Sequence, residues 1–351
     1  MKIYFYHTQD LQRIYQEWKE GTFAGHFLYG ATYLNDFGIE MIMHKHNPSP
    51  LHWKITLCTT WRILSCRKRY DVLYATSFRG LEIIIFLHAL GLYRHPIVLW
   101  HHQPIVTAKN VIRERLARIF YHGIDKMIFF SQKIVKDSLL SKKSRPDKMY
   151  IVPWGADLDF YDRVMKDNPI ARRSGFISTG KELRDMPTLI KAFNETGKKL
   201  DLYIREAAGN INYRNVLGRI KCEENVKIHF IEGLIPNKIS IEVNKAACIV
   251  ICCLESNYTV GLTTVVEALA LGIPLICSRN PQIPIDINRE GCGISVEYGD
   301  VEGWIKAINF ISDNPEKAAE MGKRGRQVAE REFNIKNCAR EVADILLSTH
   351  K

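Results

Sequence analysis

Residues 255–279 read ESNYTVGLTTVVEALALGIPLICSR. An apolar run ending near Leu254 reads as a strand, and it enters a loop containing Gly261. A helix then begins near Thr263 and Thr264, both suitable N-caps, and runs to Gly272 and Pro274 before a second apolar strand. This strand–loop–helix–strand unit is the building block of a parallel α/β sheet. A glycine in the loop lets the backbone approach a ligand closely, and the helix start offers free N–H groups and a positive dipole end. The combination suits a diphosphate or a hydroxyl-rich group. Glu267 falls about one turn into the helix, where a carboxylate can accept two hydrogen bonds from a vicinal diol such as a ribose.

The same rhythm extends through the whole chain. Lys2–Tyr6, Ile39–His44, Val72–Ala75, Ile97–Trp100, Met127–Phe130 and Tyr150–Val152 read as strands in the first half. Gly175–Thr179, Leu200–Ile204, Lys227–Phe230, Cys248–Cys253 and Pro274–Cys277 do so in the second. Amphipathic stretches lie between them: Phe27–Asp36, Ile112–His122, Lys133–Leu140, Thr188–Asn194, Lys238–Ala246, Thr264–Leu271 and Gly303–Asp313. The class is therefore α/β, with two doubly wound Rossmann-like sheets. A length of 351 residues is also too great for one ordinary core. The expected division is residues 1–165, residues 166–334, and a terminal amphipathic helix in 335–351 that packs back on the first domain. In such sheets ligands gather at the carboxyl ends of the strands, which here predicts a central cleft faced by both domains.

Composition narrows the function classes. Hydrophobic residues make up 46% and charged residues 25%, which fits a folded globular chain and not a disordered one. The most apolar segment, Leu81–Tyr93, is too short to span a membrane and carries Glu82 and His88. The start, MKIYFYHTQD, turns polar too early for a secretory signal. Nine cysteines without metal-type or redox-type spacing read as buried free thiols in a reducing, cytoplasmic setting. No metal-ligand spacing is found, so no metal and no separate cofactor is expected. Residues 1–165 carry 23 Lys+Arg against 14 Asp+Glu, which leaves only +2 of the +11 net charge for the remainder. A basic first half predicts an anionic partner. Leu51–Tyr70 (LHWKITLCTTWRILSCRKRY) sets Trp53 and Trp61 beside Arg62, Arg67, Lys68 and Arg69. It reads either as an interfacial helix for an anionic membrane or as an ordinary helix with a solvated basic end.

The stretch around Glu267-Ala268-Leu269-Ala270-Leu271-Gly272-Ile273-Pro274 resembles the donor-binding segment of family-4 glycosyltransferases, which have the GT-B fold. Further segments resemble that family in the same order. These are Tyr150–Tyr161 (YIVPWGADLDFY), Phe176–Phe193 (FISTGKELRDMPTLIKAF), Gly233-Leu234-Ile235-Pro236, His101-His102 after a strand, and Gly25-His26 with Gly30 after the first strand. The resemblance implies a retaining glycosyltransferase that uses a nucleotide-sugar donor and acts in surface polysaccharide or lipopolysaccharide assembly. The acceptor would be a glycan or a lipid-linked intermediate on the basic domain, at the inner face of a membrane. Glu267 would hold the ribose. Arg184, with Lys181 nearby, would stabilise the leaving diphosphate as metal ions do elsewhere. Gly25, Gly180 and the amides of Gly261, Leu262 and Thr263 would line the donor. His102, or else His101, would face the reacting sugar.

Three positions depart from the family pattern. Thr259 stands where a sugar-binding glutamate is usual, so either Thr259 contacts the sugar or Glu255 reaches in. Asp201–Gly209 (DLYIREAAG) lacks the usual glycine after its strand, and the turn from Lys181 to Arg184 is shorter than usual. The alternatives are a catalytically degenerate scaffold that binds nucleotide sugars, or an epimerase of similar fold. A nucleic-acid-binding role would need a recognisable module, and none is present.

Overall fold

Burial, more than local propensity, selects the strands. The computed structural model describes residues 1–232 and 236–349, without the side chains of 236 and 237. In the first unit six parallel strands are β1 (Lys2–Tyr6), β2 (Glu40–Met43), β3 (Val72–Ala75), β4 (Ile97–Trp100), β5 (Lys126–Phe129) and β6 (Met149–Ile151). They are ordered β2-β1-β3-β4-β5-β6. Every residue of β3 and β4 is buried, as expected for strands covered on both faces. The helices are α1 (Leu11–Lys19), α2 (His52–Leu64), α3 (Glu82–Ala89), α4 (Val111–His122) and α5 (Gln132–Leu139). Asp10, Asn110 and Ser131 cap α1, α4 and α5 through side-chain oxygens. The stretch expected as one helix over Phe27–Asp36 is instead two 3₁₀ turns, Gly25–Leu28 and Ala31–Phe37, interrupted at Gly30 in the left-handed region.

The second unit begins with α6 (Leu158–Asp167). It continues through β7 (Phe176–Ser178), α7 (Met186–Thr196), β8 (Leu200–Ile204), the short hairpin β9 (Ala207–Ala208) and β10 (Ile211–Asn212), and α8 (Tyr213–Leu217). Next come β11 (Val226–Phe230), α9 (Pro236–Asn244), β12 (Cys248–Ile251), α10 (Leu262–Leu271), β13 (Leu275–Ser278), β14 (Gly293–Val296), α11 (Val301–Asp313) and α12 (Pro315–Arg331). Its sheet, also parallel, is ordered β11-β8-β7-β12-β13-β14, so the winding direction reverses between β7 and β12. The last helix, α13 (Ile335–Leu347), belongs to the first unit, where it packs on residues 31–37.

The division falls at Trp154/Gly155, earlier than the expected boundary at 165/166, and Thr22–Ala24 group with the second unit. The reason is α6. Its buried Phe160, Tyr161 and Val164 pack it onto α9 and α10. Sequence periodicity also missed α12, whose buried face is made of small residues: Ala318, Gly322, Gly325 and Ala329, with Val328. Those residues allow close approach to α10. A Cβ on Gly322 would lie 2.2 Å from the Gly272 carbonyl oxygen.

Helix α2 is inside out. It buries Thr56, Thr59, Thr60 and Ile63, while Trp53, Leu57, Trp61 and Leu64 face solvent.

Alanine for glycine in a helix ordinarily stabilises by about 1 kcal/mol. Because the Gly322 site has no room for a Cβ, Gly322→Ala is expected to lower the melting temperature instead, by about 1–3 kcal/mol of stability. Thermal unfolding of the two proteins decides the sign.

Candidate donor-binding site

The winding reverses between β7 and β12, the kind of switch point at which ligands bind at the carboxyl edge of an open α/β sheet. Arg184 lies in the turn that follows β7. A single backbone bridge pairs Arg184 with Cys253, so the turn after β7 is tied to the end of β12. The guanidinium is buried, and its hydrogen bonds all reach neutral acceptors. Nε and Nη2 donate to the Thr179 carbonyl at 3.1 and 3.0 Å, and Nη1 donates to the Glu182 carbonyl at 3.1 Å. Nη1 also meets Cys253 Sγ at 3.2 Å, and Nη2 meets Thr264 Oγ1 at 3.4 Å. Five donors are thereby occupied, yet no carboxylate among the described residues pairs with the charge. Gly180 makes this packing possible. Its φ is +101°, and a Cβ there would stand 2.1 Å from Arg184 Nη2.

The first turn of helix α10 meets the same guanidinium through Thr264. Its N-cap is Gly261, at φ +92° and without a side-chain cap bond, so the helix starts at Leu262, earlier than the threonine caps expected from sequence. The Leu262 amide is taken by the Thr259 carbonyl at 3.1 Å. The amides of Thr263 and Thr264 are those the helix geometry leaves at its open end. Thr264 is buried against Arg184, and Thr263 is exposed. Glu267, one turn beyond Thr264 on the same face, is buried and accepts a hydrogen bond from Ser240 Oγ of α9 at 2.7 Å. Burial pushes its carboxyl up to about 7, with the Ser240 bond opposing. Tyr161, the aromatic that ends the Tyr150–Tyr161 signature, lies in the same pocket, and its hydroxyl is pushed well up, first by burial and then by the Glu267 charge.

Lys181 and Glu255 are exposed, and Thr259 is half-buried. A second carboxylate, unforeseen from sequence, is present: Glu182 accepts from the Tyr258 hydroxyl at 2.7 Å and ties the 180–184 turn to the 255–261 loop. That loop is held from below by Asn280, whose Nδ2 donates to the Tyr258 carbonyl at 2.8 Å. Ser240, Glu182 and Asn280 carry no motif. Only their spatial proximity marks them. In the departing segment Asp201–Gly209, Glu206 is bonded to Arg214 of α8. The Gly233–Ile235 part of the expected Gly-x-apolar-Pro turn lies outside the described residues.

The remaining expected residues lie in the first unit. Gly25 is buried at the start of its 3₁₀ turn. His102, after β4, is half-buried, and its Nε2 lies 2.7 Å from the Thr76 carbonyl. A carbonyl can only accept, so this nitrogen carries the hydrogen. His101 is buried, with Nδ1 on the Gln103 carbonyl and Nε2 on the Tyr121 hydroxyl, and burial pulls its pKa down to about 4. It is a satisfied neutral histidine, and both it and the less buried His102 line one cavity. That cavity, of about 810 Å³, is also lined by Arg79, Arg113 and Lys143. Among the described residues no group of three or more His, Cys, Asp or Glu could hold a metal ion, and no helix is long and apolar enough to cross a membrane.

Comparison with known proteins bears directly on the second unit. Residues 175–328 match the family described as Glycosyl transferases group 1. The chain is 21% identical to an MMP alpha-(1->4)-mannosyltransferase of Mycolicibacterium hassiacum over 81% of its own length and 72% of that protein's. A local match, 33% identical over 25% of this chain and 19% of the relative, is to a D-inositol 3-phosphate glycosyltransferase of Corynebacterium kroppenstedtii. Among solved structures, sucrose-phosphate synthase from Thermosynechococcus elongatus superposes with a TM-score of 0.73 at 14% identity, over 99% of this chain and 98% of that one. Anabaena HepE in complex with UDP-glucose does so at 0.68 and 15%, over 99% and 100%. The architecture is that of the GT-B fold.

A carboxyl whose pKa is higher in the folded than in the unfolded chain stabilises the fold relative to its ionised form. That contribution is fully present below about 4.5 and lost as pH rises to about 7. Glu267→Gln, which keeps an acceptor for Ser240, is therefore expected to gain stability relative to the unmodified protein as pH is raised from 5 to 8, by about 3 kcal/mol at most. Denaturant titrations at the two pH values test this. A constant difference would show that Glu267 is not held protonated by burial.

Proposed function

We propose that this chain, a GT-B glycosyltransferase whose residues 175–328 form a glycosyl transferases group 1 domain, binds the diphosphate of its nucleotide-sugar donor between Arg184 and the start of α10. The observation that carries this reading is the buried guanidinium of Arg184, bonded only to neutral groups beside an uncapped helix N-terminus. The longest of its bonds, 3.4 Å from Nη2 to Thr264 Oγ1, is the easiest to exchange for a phosphate oxygen. The neighbouring amides of Thr263 and Thr264 would donate to the same anion. Lys181, exposed on the 180–184 turn, would add charge at the rim. Glu267, one turn deeper, would accept both ribose hydroxyls. As the bond from the sugar to the diphosphate breaks, negative charge grows on the leaving oxygen, and a fixed cation and helix dipole favour that state over the ground state. In this reading the fixed cation and the helix dipole take the part that a divalent metal plays in other transferases.

In this reading His102 faces the reacting sugar. The acceptor hydroxyl attacks from the side the diphosphate leaves, with its proton passing to the departing phosphate, and the configuration is retained. The acceptor is a lipid-linked or phosphorylated glycan of surface polysaccharide or lipopolysaccharide assembly, reached at the inner face of a membrane. The basic first half supports that choice. Thr259 favours a second reading, a degenerate protein that holds nucleotide sugars without transferring them, because a neutral residue stands where the resembled family commonly has a sugar-binding glutamate.

Thermal-shift titration with UDP-, GDP-, TDP- and ADP-sugars separates these readings. One nucleotide class should raise the melting temperature. Arg184→Ala and Glu267→Ala should each weaken that binding by roughly tenfold to a hundredfold, as expected for loss of a charged hydrogen-bonding partner. Binding without transfer to any of a broad acceptor panel would favour the degenerate protein. No stabilisation by any of the four classes would overturn the assignment of the donor site.

A further inference from the structure

Two exposed apolar stripes lie on helices of the first unit that flank α3. On α2, Trp53 is 59% exposed, Leu57 53%, Trp61 73% and Leu64 54%. Their spacing of four, four and three residues places them on one face. On α4, Ile112 is 69% exposed, Leu116 49% and Ile119 43%, again on one face, with Val111 beside them. Helix α3 packs against both α2 and α4. A helix that buries threonines and displays tryptophans has its amphipathic pattern reversed for a water-facing position, and a second apolar stripe on α4, across α3, adds exposed area that water alone does not explain.

Charge specifies what covers it. Between Lys45 and Arg69 the chain carries six Lys/Arg and no Asp or Glu. Between Lys109 and Arg118 it carries four more and a single Glu114, already paired with Lys143 at 2.8 Å. Tryptophan and leucine flanked by exposed lysine and arginine match an acyl–headgroup boundary with anionic lipids, where indoles sit at headgroup level and cations meet phosphates. We infer that α2 and α4 together form a two-helix seat on an anionic bilayer surface. The 810 Å³ cavity has His52 of α2 and Arg113 of α4 in its lining as well as His102, so this seat would open it toward lipid-borne material. The inference deepens the reading of a lipid-linked acceptor and rests on it only for that last consequence.

The test is flotation of the full chain with vesicles of phosphatidylcholine alone or with about one quarter phosphatidylglycerol, at about 0.1 M salt. The protein should float with the anionic vesicles only, with a blue shift of tryptophan emission. Trp100, Trp154 and Trp304 are buried and Trp18 is half-buried, so the part of the shift lost in the Trp53→Gln, Trp61→Gln variant is the part that reports on α2. The pair Trp53→Gln with Trp61→Gln, and separately Ile112→Gln with Leu116→Gln, should each lower partitioning about tenfold or more. These side chains face solvent, and an unchanged melting temperature confirms that each variant folds. Wild-type protein that floats with neither vesicle, or equally with both, would overturn the seat, and so would variants that float as well as the wild type. So would a dimer in solution that shields Trp53 and Trp61 from quencher. Flotation does not depend on donor binding, so failure of the donor site would leave this result standing, and the reverse also holds.

Discussion

A positive charge buried without a carboxylate partner organises the second unit. Removing a guanidinium from water is costly unless each N–H finds an acceptor. Arg184 meets that requirement by drawing in the Thr179 and Glu182 carbonyls, the Cys253 sulfur and the Thr264 hydroxyl. These come from the turn after β7, the end of β12 and the first turn of α10. One side chain therefore fixes the three segments that meet where the sheet reverses direction. The hydrogen bonds satisfy the N–H groups, but they do not neutralise the charge. The start of α10 lies beside that charge; Gly180 is required because a Cβ there would meet the guanidinium, and Gly261 because its left-handed φ of +92° and the Ile251 side chain leave no place for one.

The strand rhythm was legible because a doubly wound sheet buries both faces. Runs such as Val72–Ala75, Ile97–Trp100 and Leu200–Ile204 therefore appear in the structure with the bounds read from sequence. What escaped was decided by shape or by distant partners. Helix α12 packs through glycines and alanines, which leave no hydrophobic period. The start of α10 is set by the left-handed Gly261 and not by the threonines that follow. Arg184, Gly180 and Glu267 could be picked out because they belong to contiguous motifs. Ser240, Glu182 and Asn280 could not, since each acts only through a residue tens of positions away. His101 and His102 are adjacent in sequence, and only the fold separates them. Both line one cavity, but His101 is buried with both ring nitrogens bonded, whereas His102 is half-buried with Nε2 on the Thr76 carbonyl.

The first unit shows the converse case. The amphipathic pattern of α2 was visible, but its orientation was not, because a stripe of tryptophan and leucine looks the same whether it faces a sheet or a solvent boundary. Thr56, Thr59 and Thr60 take the inner side, where two of the hydroxyls bond back to carbonyls one turn earlier in the helix. The apolar side is thereby left outward. Burial of small hydroxyl-bearing residues next to the sheet is what turns the helix over.

Glu267 carries a consequence in heat and protons. Held near neutrality by burial, its carboxyl is divided between two protonation states at physiological pH. In the proposed donor complex the ribose hydroxyls donate to this carboxyl and favour the anion, so each capture of a nucleotide would then expel a fraction of a proton into solution. The enthalpy recorded by calorimetry would then include the ionisation heat of whichever buffer takes up that proton. Tris and phosphate would report different apparent enthalpies for the same binding event.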